Sequence, residues 1–190
     1  MPRLLPELPP LELDLDAPIS RHFRLRDLIE CGDTWHRFAA EGKPIDNLPR
    51  QSESVRALGM LAEAVLDPVV EEFGPIELTY GFASPRLTKH IKRHICPSLD
   101  QHAAHELNRA GRPVCSRGGA ACDVRVGGLA SAEIVRFLVG RTGFDRVYEY
   151  VDADVVHLSV SVEPSRLVVT MGQFANGRRG PLRSQTMGSD

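Results

Sequence analysis

Between Asp100 and Val124 the chain reads DQHAAHELNRAGRPVCSRGGAACDV: two histidines three apart, two cysteines, and an aspartate behind a run of small residues. Imidazole, thiolate and carboxylate are the groups that bind transition metals. The stretch is therefore either one metal site interrupted by an excursion or an ordinary surface loop. Further on, VVHLSVSV puts His157, Ser159 and Ser161 on one face of a strand and Val156, Leu158 and Val160 on the other. A buried imidazole must find a partner, and a metal is one of the few that suits it. Asp123 has the same character, since the small residues before it in AACDVRV let a ligand approach closely. Asp154 stands three positions before His157, at a turn, where a carboxylate reaches a water on a metal without ligating it. A hydrolytic zinc centre needs three protein ligands, an open fourth position and a nearby base. Candidates for each are present.

Plainer readings stand beside these. A strand histidine can be a hydrogen-bonded core residue, and an aspartate at a strand end can be turn chemistry. His90 and His94, beside Lys89, Lys92 and Arg93, read as a solvated helix face, and His22 and His36 carry no supporting pattern. The four cysteines (Cys31, Cys96, Cys115, Cys122) form no CxxC pair, which argues against a zinc ribbon or a thioredoxin-type site. Cys31 and Cys122 read as small buried hydrophobes. Thiol chemistry at Cys115 or Cys122 is a third option that no spacing favours.

The elements that must position these residues follow from periodicity. The 190 residues, 42% hydrophobic, suffice for one core and one domain, and the formal net charge of -2 gives no sign of a nucleic-acid partner. Prolines and acids interrupt MPRLLPELPPLELDLDAP, so neither a signal peptide nor a membrane span is expected, and a cytoplasmic location is. Residues 1–18 read as a loose proline-rich arm, 19–175 as the domain and 176–190 as a flexible basic tail. HFRLRDLIECGDTWHRFAAEG is expected to be a helix. So is SVRALGMLAEAVLDPVVEEFG, with Val55, Leu58, Leu61, Ala62, Val65, Leu66, Val69 and Val70 on one face and Pro68 a candidate kink. PIELTYGF, AACDVRV, RVYEYV and VVHLSVSV read as strands, and SAEIVRFLVGRTG as a helix. SPRLTKHIKRHI is a further candidate helix. The fold class is α+β, a small antiparallel sheet with helices packed on one side.

Four pieces in this order resemble the zinc D-Ala-D-Ala carboxypeptidases and related peptidoglycan endopeptidases, in particular their small single-domain branch. They are HFRLRDLIECGDTWHRFAAEGKPIDNLP with the helix after it, IELTYGFASPRL, GGAACDV, and GFDRVYEYVDADVVHLSV, together spanning roughly residues 20 to 162. The resemblance implies a Hedgehog/DD-peptidase-like fold and a zinc ion as cofactor. It makes Asp123 and His157 ligands and Asp154 the general base. Its first histidine would stand seven residues before Asp123, where this chain has Ser116, a poor ligand. Either the ligand is lost and the protein is a pseudoenzyme, or the motif is split, with DQH matching its first half and AAHELNRAGRPVCSR inserted. The split motif, His102–Asp123–His157, is the favoured reading, because loop closure costs only about 0.6 kcal/mol per doubling of length. His105 is the reserve ligand, since HxxH on a helical turn brings two rings together.

The family's substrate-binding arginine is matched here by Ala83, with Arg86 three residues on as its candidate replacement and Ser84 beside it. Glu149, on the preceding strand, is a candidate to orient a ligand imidazole. The expected activity is hydrolysis of an amide in a small peptide or muropeptide by a metal-activated water. The rival is a binding module of the same fold whose zinc is structural or absent.

Overall fold

The computed structural model describes residues 11–91 and 100–188. The first ten residues of the proline-rich arm, Lys92, Arg93, His94 and Cys96 lie outside them, as does the last third of the helix expected over SPRLTKHIKRHI. Six strands form one open sheet in the order β1-β2-β4-β3-β5-β6: Ile76–Tyr80, Ala120–Val126, Val155–Val160, Arg146–Tyr150, Leu167–Gln173 and Arg179–Thr186. All neighbours are antiparallel except β3 and β5, which run parallel. The α+β class is as expected from the sequence.

Alternation along the strands divides the sheet into two faces. Cys122, Val124, Val147, Val156 and Leu158 point to the face covered by helices and make one core with Leu58, Leu61, Val65, Ile134 and Leu138. The helices are α1 (Leu25–Ile29), α2 (Asp33–Ala40), α3 (Ser52–Leu61), α4 (Asp67–Phe73), α5 (Pro85–Thr88) and α6 (Ser131–Arg141). Asp123 and His157 point to the opposite face.

The helix expected over residues 22–42 is two helices. Gly32, at φ 86, breaks it, a conformation that no apolar period signals. The next helix is continuous from α3 to α4, but the turn ahead of Pro68 is π-helical, Ala62–Leu66. The wider turn accommodates a residue that lacks an N–H and crowds the preceding carbonyls.

Two further expectations are corrected at the ends. Residues 13–18 are not loose: Leu13 and Leu15 pack on the core, and Arg26 N donates to Leu15 O at 2.9 Å. Within 176–190, residues 179–186 pair with β5 as an edge strand rather than trailing as a tail. Its residues are nearly all exposed, so backbone bonding and local fit hold it rather than burial. Leu182 packs onto Gly172, and Phe174 onto Gly180.

One buried carboxylate ties the layers together. Asp145, fully buried, accepts two bonds from Arg117 Nη2 at 2.8 and 3.0 Å, one from Gln101 Nε2 at 3.0 Å and two from Ser165 at 2.6 and 2.8 Å. It anchors the crossover that carries the chain past β3 to reach β5, and it holds the segment preceding β2.

Candidate metal centre

A single rung of the sheet supplies most of the site. Tyr80 of β1 pairs with Asp123 of β2, Asp123 pairs with His157 of β4, and His157 pairs with Tyr148 of β3. The missing element is a histidine to lie over this rung, and a one-turn 3₁₀ helix, Gln101–Ala103, delivers His102. Asp100 caps that turn, its carboxylate accepting from His102 N at 3.1 Å. On one side Ala83 N donates to His102 O at 2.9 Å. On the other, the Gln101 amide donates to Gly118 O and Asp145 at 3.0 Å and to Val160 O at 3.1 Å. The turn is thereby fixed to the loop after β1 and to the sheet at once.

Three donor atoms converge. His102 Nε2 lies 3.2 Å from both His157 Nδ1 and Asp123 Oδ1, and His157 Nδ1 lies 2.8 Å from Asp123 Oδ1. His102 Nδ1 is 2.8 Å from Gly81 O. A carbonyl only accepts, so Nδ1 carries the hydrogen, and a neutral ring turns its Nε2 lone pair toward the other two donors. Three lone-pair atoms meeting in a buried place repel unless a proton or a cation lies among them. The aromatic neighbours restrict the rings: Tyr80 lies against His102 at 4.0 Å between centroids, and Tyr148 stacks on His157 at 5.1 Å and 17°.

Electrostatics follow the geometry. Burial lowers the imidazolium pKa of His102, but the charge and hydrogen bond of Asp123, with help from Asp100 and Gly81, outweigh it and raise the pKa. Burial raises the Asp123 carboxyl, and the two imidazoles overcome it, holding the group well below the usual carboxylate range. Gly81 is built for its place: a Cβ there would strike Leu28 O and approach Cys31 Sγ to 2.6 Å.

The excursion between His102 and Asp123 is a small side hairpin. Leu107 bridges Pro113, Asn108 N bonds Arg112 O at 2.8 Å, and Val114 N bonds Glu106 O at 2.8 Å. Its base is pinned by Glu106, whose buried carboxylate accepts from Arg50 N, Gln51 N and Ser54 Oγ at the start of α3. The chain then re-enters the sheet through Gly119 at φ 79, where a Cβ would overlap Val160 O.

The other candidates fall elsewhere. His105 is outside the cluster, its Nε2 accepting from Gly119 N at 3.0 Å, and Ser116 is exposed on the loop. Glu149 is on the helix-covered face, where it accepts from Ser131 and Thr170, both at 3.2 Å. It does not orient either ligand ring; Gly81 O does this for His102. One-residue parity decides the point, since Tyr148 and not Glu149 shares the face of His157. Ser84 is buried as the cap of α5, accepting from Leu87 N at 3.2 Å, and Arg86 pairs with Asp46 at 3.1 Å. Neither is among the described residues that line the cleft beside Asp123. Asp154 is exposed in the β3–β4 turn at φ 48, between Ala153 and Val155. Burial raises the thiol pKa of Cys31, to about 12, and those of Cys115 and Cys122, which disfavours the thiolate in each.

A cleft of about 760 Å³ opens on this face, with Asp123 in its wall. Thr79 and Tyr80 border it on one side, Tyr150, Ala153 and Val155 on another, and Met171, Gln173, Gly177 and Arg179 of the β5–β6 hairpin on the third. Sequence reasoning passed over Gln101, Asp145, Tyr80 and the hairpin. Alternation would place Tyr80 with Ile76 and Leu78 on the core face; a register shift between Leu78 and Tyr80, which no sequence pattern marks, turns it to the face of Asp123. Comparison of the chain with protein-family models, curated proteins and solved structures finds no match.

Proposed function

We propose that the chain is a zinc-dependent amide hydrolase with the Hedgehog/DD-peptidase-like fold, acting on a small peptide or muropeptide. The observation that carries this is the convergence of His102 Nε2, Asp123 Oδ1 and His157 Nδ1 beside an open cleft. Tetrahedral zinc at ~2.0–2.1 Å from its ligands needs donors roughly 3.3 Å apart. The present 2.8–3.2 Å separations lie within a small adjustment of that. Two imidazoles and one carboxylate with a free side are the donor set of hydrolytic rather than structural zinc. A bound zinc would supply a water acidified to a pKa of ~7 and a Lewis acid for the amide carbonyl.

The chain's own residues do the rest. Gly81 O holds the His102 tautomer. Tyr80 and Tyr148 confine the two rings. Asp154, flanked by two residues of the cleft wall, takes the proton of the attacking water and returns it to the departing amine. Metal analysis of protein purified without chelator should find about one zinc per chain, lost in His157→Ala. Absence of stoichiometric zinc would overturn the reading.

One observation favours a second reading, a binding module. Ala83, at the position of the family's arginine, is 1% exposed, and Arg86 is engaged with Asp46. Stoichiometric zinc without hydrolysis of any L- or D-amino-acid peptide would point there.

A further inference from the structure

The cleft beside Asp123 has a cation in its wall that the proposed chemistry does not use. Arg179, the first residue of β6, lies with its guanidinium carbon 5.2 Å from the centre of the Tyr150 ring. It forms no ion pair with any carboxylate among the described residues, unlike Arg21, Arg26, Arg50, Arg86, Arg117 and Arg125. Arginine stacked on an aromatic face keeps its N–H fork directed outward, the form in which it grips a carboxylate through two bonds.

We propose that Arg179 receives the carboxylate of a peptide whose amide lies at the His102–Asp123–His157 cluster. The position of that amide rests on the hydrolase reading; the anion site itself does not. Registers set the separation. Tyr148 is opposite His157, so Tyr150 lies one strand over and two residues further along. At ~4.8 Å between strands and ~3.4 Å per residue, that is on the order of 8 Å. An extended peptide covers ~3.3–3.6 Å per residue, and the guanidinium carbon stands a further 5.2 Å from the Tyr150 ring, so the anion sits two or more residues from the amide at the cluster. The carboxylate belonging to the residue next to that bond is too close to bridge the gap. Tyr150 adds a hydroxyl: burial and the charge of Asp123 raise its pKa, which keeps it a phenol able to donate. The substrate class is an acidic oligopeptide, read by the β5–β6 hairpin and not by the segment around Ala83.

The test is calorimetric binding of N-acetyl-tetraalanine as free acid and as carboxamide, in all-L and all-D forms, to the full chain with and without added zinc. The acid is expected to bind about tenfold more tightly than the carboxamide in at least one series and in both zinc states. Arg179→Gln should erase that preference, and Arg179→Lys, which keeps the charge but loses the fork, should retain part of it. Arg179 is exposed, so melting temperature and zinc content should be unchanged in both variants. Equal affinity for acid and amide, no binding of either, or a preference that survives in Arg179→Gln would each overturn the assignment. Loss of the hydrolase reading shows up instead as absent zinc with the acid preference intact.

Discussion

Asp123 and His157 are direct partners across the β2–β4 ladder, and their side chains meet at 2.8 Å on the face the helices leave open. Two residues 34 positions apart are thus fixed by a backbone register that a one-residue slip would destroy. His102 is held differently, by a capped turn and the Gln101 amide.

His102→Ala and His157→Ala should each weaken zinc binding by more than the 10–100-fold typical of losing a residue behind a ligand. Zinc content after dialysis against a weak chelator measures it. Retention of full zinc by His102→Ala would remove the 3₁₀ turn from the site.

Asp154→Asn separates the metal from the chemistry. Zinc content should stay at about one per chain, while turnover of a cleaved peptide falls by roughly 10²–10⁴-fold, the reach of a general base. Equal turnover in variant and parent would assign the proton to another group.

The side hairpin is expendable if it is only an excursion. Val114 N already bonds Glu106 O, so replacing 107–113 with two residues such as Asn-Gly should close the gap. Zinc stoichiometry should be preserved and stability should change by less than about 1 kcal/mol.

Acidity should act on metal affinity with a definite sign. Asp123 raises the pKa of His102, so the metal-free ring holds its proton to higher pH than an ordinary histidine. Zinc must displace that proton, and apparent affinity should fall about tenfold per pH unit once the pH drops below the raised value. Isothermal titration across pH 5.5–8.5, in buffers of different ionisation enthalpy, would show the proton release.

Asp145→Asn should be among the most damaging single changes, costing about 3–5 kcal/mol by leaving Arg117 without its counter-charge in a buried network. The Asp145 carboxyl is held below its ordinary value despite burial, by Ser165 and Arg117. Its contribution is therefore present above the unfolded-state value near ~3.9 and is lost as pH falls through the lower folded value. The gap between the urea midpoints of parent and variant should be smaller at pH 3 than at pH 7.

Period-two alternation in VVHLSVSV and AACDVRV shows which face His157 and Asp123 occupy, because the apolar partners on the other face are unambiguous. The same alternation places Glu149 away from His157, a consequence that becomes visible only with the β3–β4 register in hand. What the sequence conceals is long-range polar bonding. Nothing near Gln101 or Asp145 shows that the two meet across 44 residues. The break at Gly32 and the π-helical turn are equally silent, since each answers a tertiary demand rather than a local preference. Strand β6 is hidden for the opposite reason: PLRSQT has no buried face, so no pattern marks it.

Because one cleft wall is a mostly exposed hairpin and the floor is a rung of the central sheet, the rim can vary in sequence without disturbing the His102–Asp123–His157 cluster. Exchanging the exposed turn, residues 175–178, for another of equal span should change that wall and leave the β5–β6 ladder intact.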